Sequence, residues 1–203
     1  MVKQNLNEVI GLYLGRFQPL HLGHLKAVEH CLSHCDKLFI GICGSNNNPD
    51  IDNPFTAEER NNMIRQSLGD MVHLIKTFPI ADKATHEQWV KHFTYILPRY
   101  DIIFSGNPET IEICERFGKK IYKLELHERE NLSGTNIREL IRKDQPYQNL
   151  LPTGTLNVMA QLDGVNRIKT IGVSILCNKC NGVILPESKF CSNCGKPVQN
   201  AKV

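Results

Sequence analysis

Five short apolar runs along the chain alternate with segments of helical periodicity. The runs cover residues 8–14, 37–43, 71–80, 101–104 and 121–126, and each is short enough for a buried strand. Strands that alternate with helices predict a parallel sheet with helices on both faces, that is, a Rossmann-like doubly wound α/β fold. Such a sheet binds its ligands at the carboxyl ends of the strands.

The segments between these runs carry the apolar spacing and the capping residues of helices. A first helix is predicted to begin near Leu22, because apolar residues recur at helical spacing after it. Thr56 and Glu59 form a capping box that starts a second helix. Further helices are predicted over residues 87–97, from Pro108, from Ser133 or Thr135, and over residues 149–162.

Composition and charge indicate an ordinary soluble protein. The chain has 203 residues, which allows one α/β domain, predicted at residues 1–172, and a small appendage at residues 173–203. A net charge of only +3 argues against nucleic-acid binding through bulk charge. The chain has no apolar run of the ~18–20 residues that span a bilayer, and no signal peptide is recognised, so a cytoplasmic location is expected.

Eight cysteines fall into two groups of four. Those in the first half and middle of the chain lie in apparent core segments, where a free thiol behaves as a small apolar group: Cys31, Cys35, Cys43 and Cys114. The last four form two CxxC pairs with the spacing of a structural zinc ribbon: Cys177, Cys180, Cys191 and Cys194. Gly182 and Gly195 follow the pairs and permit tight turns.

Free thiols and two disulfides are the alternative interpretations of the last four cysteines, and the CxxC spacing favours metal binding in a reducing compartment over both. The segment is too short to fold on an apolar core, so the metal would stabilise it. Stabilising an oligomer, recruiting a partner and contacting nucleic acid are all open roles for this ribbon. Its lysines have only Phe190 among them as an aromatic residue, which favours a structural role over nucleic-acid binding.

The segment GRFQPLHLGH at residues 15–24 joins the first predicted strand to the first predicted helix. Gly15 and Gly23 allow the backbone to approach a ligand closely. His21 and His24 are three residues apart, so at the first turn of a helix they point the same way. Free N–H groups and the helix dipole make this turn an anion site, suited to nucleotide phosphates. The alternative is a pair of capping or core histidines.

The segment SGTNIR at residues 133–138 places two hydroxyl groups and a glycine at another helix start. Arg138 lies within the first turn, where its forked donors could neutralise a leaving pyrophosphate. By itself, this segment could equally be an ordinary capped helix. Together with the His21–His24 segment, it predicts a second phosphate cradle.

Several separated motifs occur in one order along residues 8–172. They are GRFQPLHLGH, NPFTAEER from Asn53, ADKATHEQWVKH with Asp82 near its start, SGNP at Ser105, SGTNIR, and LDGVNRIKTI. In these motifs and their order, the chain resembles the HxGH nucleotidyltransferase superfamily, and most closely the archaeal-type nicotinamide mononucleotide (NMN) adenylyltransferases. The resemblance does not include the cysteine-rich ribbon.

The resemblance implies a reaction of ATP with NMN that gives NAD and pyrophosphate by direct in-line transfer, with Mg²⁺ accompanying ATP, in a homo-oligomer. It implies three groups of site residues. The triphosphate would be held by Arg16, His21, His24, Ser133, Thr135 and Arg138, of which His21, His24 and Arg138 are the expected catalytic residues; Gly15, Phe17, Gly23 and Gly134 would also belong to the nucleotide site. Gly106 and Asn107 would contact the adenosine, and Asp82 and Trp89 the NMN. Trp89 is the only tryptophan; its other interpretation is a core anchor on a helix.

One loop departs from the family pattern. Where the relatives carry a GSAQ-like segment and a histidine, residues 44–49 read GSNNNP, which affects the expected substrate preference. Another phosphate acceptor, such as FMN, phosphopantetheine or a choline-like alcohol, is therefore an alternative within the same enzyme class. A non-catalytic nucleotide sensor that signals through its zinc ribbon is an alternative from a different class.

Overall fold

Five parallel strands form the central sheet of this computed structural model, which describes residues 8–125, 132–172, 175–180, 183–184 and 188–198. The order in the sheet is β3-β2-β1-β4-β5. The strands are β1 (Ile10–Gly15), β2 (Lys37–Cys43), β3 (Ile75–Ile80), β4 (Ile102–Ser105) and β5 (Ile121–Lys123). This confirms the predicted parallel α/β sheet.

Seven α-helices accompany the sheet within the described residues. They are α1 (Leu22–Leu32), α2 (Ala57–Ser67), α3 (His86–Ile96), α4 (Pro108–Arg116), α5 (Gly134–Arg142), α6 (Thr153–Gln161) and α7 (Gly164–Thr170). The capping box of α2 is confirmed: the Thr56 hydroxyl accepts from the Glu59 N–H, and the Glu59 carboxylate accepts from the Thr56 N–H. Of the two residues predicted to cap α5, Ser133 does so.

The two faces of the sheet bury separate apolar clusters, because side chains alternate along each strand. Tyr13 of β1 and Ile40 of β2 lie in the cluster beneath α1, α2, α5, α6 and α7. Leu12 and Phe39, their chain neighbours, lie in the other cluster, beneath α3 and α4. Helices therefore cover both faces, which explains why the strand sequences are apolar at nearly every position.

The connections reverse direction between β1 and β4, which are neighbours in the sheet. From β1 the chain moves outward through β2 to β3, then returns to β4 on the other side of β1. A crevice forms outside the carboxyl ends of the strands at such a switch point, and it is the usual ligand site of doubly wound sheets. The GRFQPLH segment follows β1 there, and SGNP follows β4.

Three predicted boundaries were wrong. Residues 71–74 are not strand but the end of a 3₁₀ helix, Gly69–Leu74, which begins at a glycine with a φ of 53°. The helix predicted over residues 149–162 is divided, because Pro152 cannot continue a helix and stands at the start of α6. The chain then forms α7, which was not predicted. The fifth strand ends at Lys123, and residue 126 of the prediction lies outside the described residues.

A second, two-stranded sheet belongs to the cysteine-rich segment. Strands β6 (Ile175–Leu176) and β7 (Val183–Ile184) pair antiparallel. Gly195 has the left-handed φ (67°) expected for a turn after the second CxxC pair, whereas Gly182 lies outside the described residues. Residues 173–174 also lie outside them, so the predicted domain boundary at residue 172 stays a prediction. Among the described helices, none is long and apolar enough to cross a bilayer.

Helices α2 and α6 pack so closely that residue 154 must be glycine. A Cβ at Gly154 would lie 2.4 Å from the carbonyl carbon and oxygen of Gln66 and 2.6 Å from the backbone nitrogen of Ser67. Because these are backbone atoms, they cannot rotate away. We expect Gly154→Ala to lower the free energy of unfolding by about 2 kcal/mol or more in chemical denaturation. Asn157→Ala, at an exposed position of α6, is the control, and equal stability of the two variants would contradict this packing.

Candidate active site

A cavity of about 1200 Å³ opens at the carboxyl ends of β1 and β4. It exceeds the ~300–1,000 Å³ of a typical single small-molecule site. The structure brings to this cavity all fourteen residues predicted for nucleotide and NMN binding: Gly15, Arg16, Phe17, His21, Gly23, His24, Asp82, Trp89, Gly106, Asn107, Ser133, Gly134, Thr135 and Arg138. These residues come from six separate loops and helix ends, yet they line one space.

The loop after β1 is held in an unusual backbone conformation. Phe17 has a φ of 52°, in the left-handed region that non-glycine residues rarely adopt, and its side chain is buried. Its ring lies over Gly15, where a Cβ would be only 2.7 Å away, and 4.8 Å from the ring of His24. Gly15 is therefore required for the loop to fold back beside the histidines. Strain of this kind is typical of ligand sites.

His21 and His24 stack at the N-terminus of α1, with their ring centroids 3.6 Å apart. Nδ1 of His24 accepts a hydrogen bond from the N–H of His21 at 3.2 Å, so its Nε2 carries the proton of the neutral ring and is a donor. Nδ1 of His21 is buried without a partner among the described residues. Burial lowers the pKa of His21 to about 4, and burial together with the neighbouring ring lowers the pKa of His24 well below its usual value.

The start of α5 touches the loop after β1 directly. A Cβ at Gly134 would lie 2.7 Å from the carbonyl oxygen of Gln18, so only glycine allows this approach. The buried guanidinium of Arg138 donates from Nη1 to the same carbonyl oxygen at 2.9 Å, and from Nη2 to the carboxylate of Asp52 at 2.9 Å. Burial lowers the pKa of Arg138, and the Asp52 carboxylate opposes that shift. The arginine predicted to bind phosphate thus has an acidic partner in this structure.

Arg16 extends from the end of β1 across the cavity. Its Nη2 donates to Oδ2 of Asp82 at 3.1 Å, and its Nη1 donates to Oδ1 of Asn53 at 3.1 Å. The Arg16 side chain is about half exposed (53%) and that of Asp82 is partly buried (31%). A residue predicted to bind the triphosphate and one predicted to bind NMN are therefore in direct contact.

The end of β4 places SGNP on the opposite side of the switch point. The buried Ser105 accepts from the N–H of Asn107 through its hydroxyl at 3.1 Å, and Asn107 caps α4 by accepting from the N–H of Thr110. Trp89 lies on α3, partly buried, with its ring 5.0 Å from that of Phe93 at an angle of 72°. It packs at the edge of the core and also lines the cavity, and its contact with NMN stays a prediction.

Arg60 is the most important residue that the sequence reasoning missed. Its side chain is only 1% exposed, and its Nη atoms donate to the carbonyl oxygens of Arg16 and Cys43 at 2.7 Å and of Gly44 at 3.1 Å. Burial lowers its pKa to about 10. Arg60 and Asn53 both lie in the NPFTAEER motif, so the motif was a signal for them, but sequence alone could not give their partners.

The four cysteines of the C-terminal segment form a cluster whose Sγ atoms all lie within 4.8 Å of one another. The Sγ atoms of Cys177 and Cys194 are 3.6 Å apart and those of Cys180 and Cys191 are 3.7 Å apart, and none of the four cysteines is in a disulfide. A tetrahedral zinc with Zn–S bonds of about 2.3 Å needs sulfur atoms about 3.8 Å apart, so the cluster fits this metal. The N–H groups of Lys179 and Cys180 lower the pKa of Cys177 to about 6.

Comparison with known sequences gives consistent matches. Residues 12–140 match the family described as cytidylyltransferase-like. The nicotinamide-nucleotide adenylyltransferase of Methanococcus aeolicus is 36% identical over 162 residues, which cover 80% of this chain and 94% of that protein. The enzyme of the same name from Methanospirillum hungatei is 35% identical over 160 residues, 79% of this chain and 92% of that protein.

Among solved structures, the chain resembles a bifunctional NMN adenylyltransferase/ADP-ribose pyrophosphatase from Francisella tularensis. The TM-score is 0.70 at 22% identity, and the match covers 81% of this chain. This chain spans about half (52%) of the length of that protein. At this identity the likeness concerns the fold of the sheet and its helices.

The low pKa of His21 generates a testable prediction. We expect its ring protons, followed by NMR in the free protein, to titrate near pH 4, with His21→Gln used to assign the resonance. The unfolded chain binds the proton near pH 6.5, so neutral His21 contributes stability that is fully present above about pH 6.5. That contribution is lost as the pH falls toward 4. Titration near pH 6.5 would contradict the burial described here.

Proposed function

The chain belongs to the cytidylyltransferase-like family and, within it, to the nicotinamide-nucleotide adenylyltransferases. From this membership we propose that it transfers the adenylyl group of ATP to NMN, giving NAD and pyrophosphate. One observation carries the proposal. The predicted phosphate-binding residues His21, His24 and Arg138 line the same cavity, at the switch point of the sheet, as the predicted NMN-binding residues Asp82 and Trp89.

Two helix N-termini hold the triphosphate in this proposal. The first turn of α1 supplies free N–H groups and the Nε2–H donor of His24. The second N-terminus is that of α5, formed by Ser133, Gly134 and Thr135. Gly134 allows it to lie against the loop after β1. Because burial keeps both histidines neutral in the free protein at neutral pH, at that pH they can gain charge only when the anion is bound.

Asp52 must leave Arg138 when the phosphates bind. The carboxylate of Asp52 is largely exposed (76%), whereas the Arg138 side chain is buried (6%). An exposed carboxylate gives up such a pair at low cost, while a buried guanidinium without a partner is costly. Asp52 therefore acts as a temporary partner that the leaving pyrophosphate replaces through forked hydrogen bonds.

The acceptor nucleotide lies on the side of Asp82 and Trp89. The flat ring of Trp89 can stack on a pyridinium, which adds cation–π attraction to the apolar contact. The Asp82 carboxylate supplies an acceptor of hydrogen bonds and a negative charge near the positive ring. The cavity volume of about 1200 Å³ is large enough for two nucleotides side by side.

The transfer itself needs no general base, because the phosphate oxygen of NMN is already an anion. It attacks the α-phosphorus of ATP in line, a new P–O bond forms, and the bond to the β-phosphate oxygen breaks to release pyrophosphate. The protein contributes by aligning the two phosphates and by stabilising the charge on pyrophosphate through His21, His24 and Arg138. A Mg²⁺ ion bound to the triphosphate would supply further charge neutralisation, held mainly by substrate and water.

We propose that the cysteine cluster holds a structural Zn²⁺. Four thiolates at tetrahedral spacing fill the coordination shell and leave no position for catalysis. The proposal also includes a cytoplasmic location, a homo-oligomeric state and a ribbon domain over residues 173–203. The described residues form no disulfide, which is in keeping with a reducing compartment.

The first test is the reaction with ATP, Mg²⁺ and NMN, followed through NAD in a coupled dehydrogenase assay. We expect NAD formation, and a loss of about 10²–10³ in rate for His24→Ala, because one preorganised donor to the transferring phosphates is removed. His73→Ala, an exposed histidine outside the cavity, is the matched control and should keep the wild-type rate.

Three outcomes would contradict the proposal in different ways. Near-full turnover of His24→Ala would remove the role of the histidines. Absence of NAD, with turnover of another phosphate acceptor such as FMN, would change the acceptor alone. ATP binding without pyrophosphate release for any acceptor would favour a nucleotide sensor.

Metal analysis of the purified protein tests the cysteine cluster. We expect zinc at one ion per chain, lost in Cys177→Ser/Cys180→Ser and kept in Cys35→Ser, whose thiol lies beside β1. Because the site is closed, we expect the double variant to keep adenylyl transfer in the same NAD assay. Zinc retained by the double variant would exclude this site, and a parallel loss of activity would assign the metal a role in the reaction.

A further inference from the structure

The segment after β2 holds the end of β3 in place beside the cavity. The N–H of Ser45 donates to the carbonyl oxygen of Ile80 at 3.0 Å, which extends the β2–β3 ladder by one bond. Beyond this point the side chain of Asn46 replaces the backbone. Its Oδ1 accepts from the N–H of Asp82 at 2.7 Å, and its Nδ2 donates to the carbonyl oxygen of Asp82 at 3.4 Å. One side-chain amide therefore fixes the backbone of Asp82 after the strand has ended.

The next asparagine holds the carboxylate of the same residue. Nδ2 of Asn47 donates to Oδ2 of Asp82 at 3.1 Å, and Nη2 of Arg16 donates to that oxygen at the same distance. Oδ1 of Asp82 accepts no hydrogen bond from the residues that the structure describes. Since Asp82 lines the cavity, Oδ1 is the oxygen left for a ligand.

Gly44 makes this convergence of side chains sterically feasible. It has a φ of 64°, and a Cβ there would lie 3.0 Å from Nη1 of Arg16 and from Nδ2 of Asn47, and 3.4 Å from Oδ2 of Asp82. A larger residue would push the three side chains apart. The glycine, the two asparagines and the aspartate thus form one local unit.

Resting on the function proposed above, we infer that Asn46 and Asn47 are positioning residues for the acceptor nucleotide, acting through Asp82. In the proposed function Arg16 also binds the triphosphate, which draws its guanidinium away from Oδ2 when ATP binds. Asn47 remains and keeps the carboxylate oriented toward the NMN. An amide suits this task because it is uncharged, and so it neither neutralises Asp82 nor competes for phosphate.

This inference gives a role to residues 44–49, where the sequence differs from the family pattern. The Asn-rich sequence supplies two amide groups at the positions that contact Asp82. Asn48, the third asparagine of the run, is exposed and makes no side-chain hydrogen bond within the described residues. It provides a matched control in the same loop.

The test measures NMN binding and turnover in the full-length protein. Trp89 is the only tryptophan and lines the cavity, so its fluorescence reports NMN binding without catalysis. We expect Asn47→Ala to raise the Kd and the KM for NMN about tenfold, the size of a lost hydrogen bond to a charged group, with the KM for ATP and kcat within about twofold of wild type. Asn46→Ala should act in the same direction, and Asn48→Ala should have no effect.

A double-variant cycle separates action through Asp82 from a general effect on the loop. We expect Asp82→Ala/Asn47→Ala to bind NMN no more weakly than Asp82→Ala alone. The inference is overturned if the effect of Asn47→Ala persists without Asp82, if Asn48→Ala is as damaging, or if the KM for ATP rises equally. If the wild-type protein binds NMN but forms no NAD, the proposed function is contradicted. The fluorescence titrations of the variants alone then decide whether the asparagines position NMN. A wild-type protein that binds no NMN would overturn both.

Discussion

The buried guanidinium of Arg60 joins the carboxyl ends of β1 and β2, and the geometry of the cavity depends on this junction. It donates to the carbonyl oxygens of Arg16, Cys43 and Gly44, where parallel strands leave such groups unpaired. A buried charge is costly unless its donors are satisfied, so these bonds fix both loops relative to α2. The loop after β1 carries Arg16 and leads to the histidines, and the loop after β2 carries the asparagines that hold Asp82.

The arginines of the site differ in what they hold. Arg60 is fully enclosed and bonds only backbone carbonyls among the described residues, so it is part of the scaffold. Arg16 and Arg138 pair instead with carboxylates, those of Asp82 and Asp52. An anionic substrate can exchange with a carboxylate but not with a carbonyl inside the scaffold. The free protein thus pairs Arg16 and Arg138 with carboxylates before a nucleotide enters.

Glycine decides how closely the loops can meet. Gly15, Gly44 and Gly134 each lie where a Cβ would press on a neighbouring side chain or carbonyl oxygen. The loop after β1, the loop after β2 and the start of α5 can therefore converge on one cavity. The strained backbone of Phe17 lies in the same place, and the Phe17 ring packs against the ring of His24. The cavity is formed by the close approach of backbone segments as much as by its charged side chains.

The sequence by itself determined the parts of this protein that depend on local order. Apolar periodicity predicted the alternating strands and helices, and the CxxC spacing predicted the four cysteines that cluster. The family resemblance carried by the motifs pointed to fourteen of the residues that line the cavity. Two local signals were misread: the glycine at which the 3₁₀ helix before β3 begins, and Pro152, which divides the helix predicted over residues 149–162. Only the tertiary structure decided which polar groups pair, such as Asp52 with Arg138 and Asn47 with Asp82. These partners are 86 and 35 residues apart along the chain, and their contact follows from how the strands and helices pack, which no local pattern records.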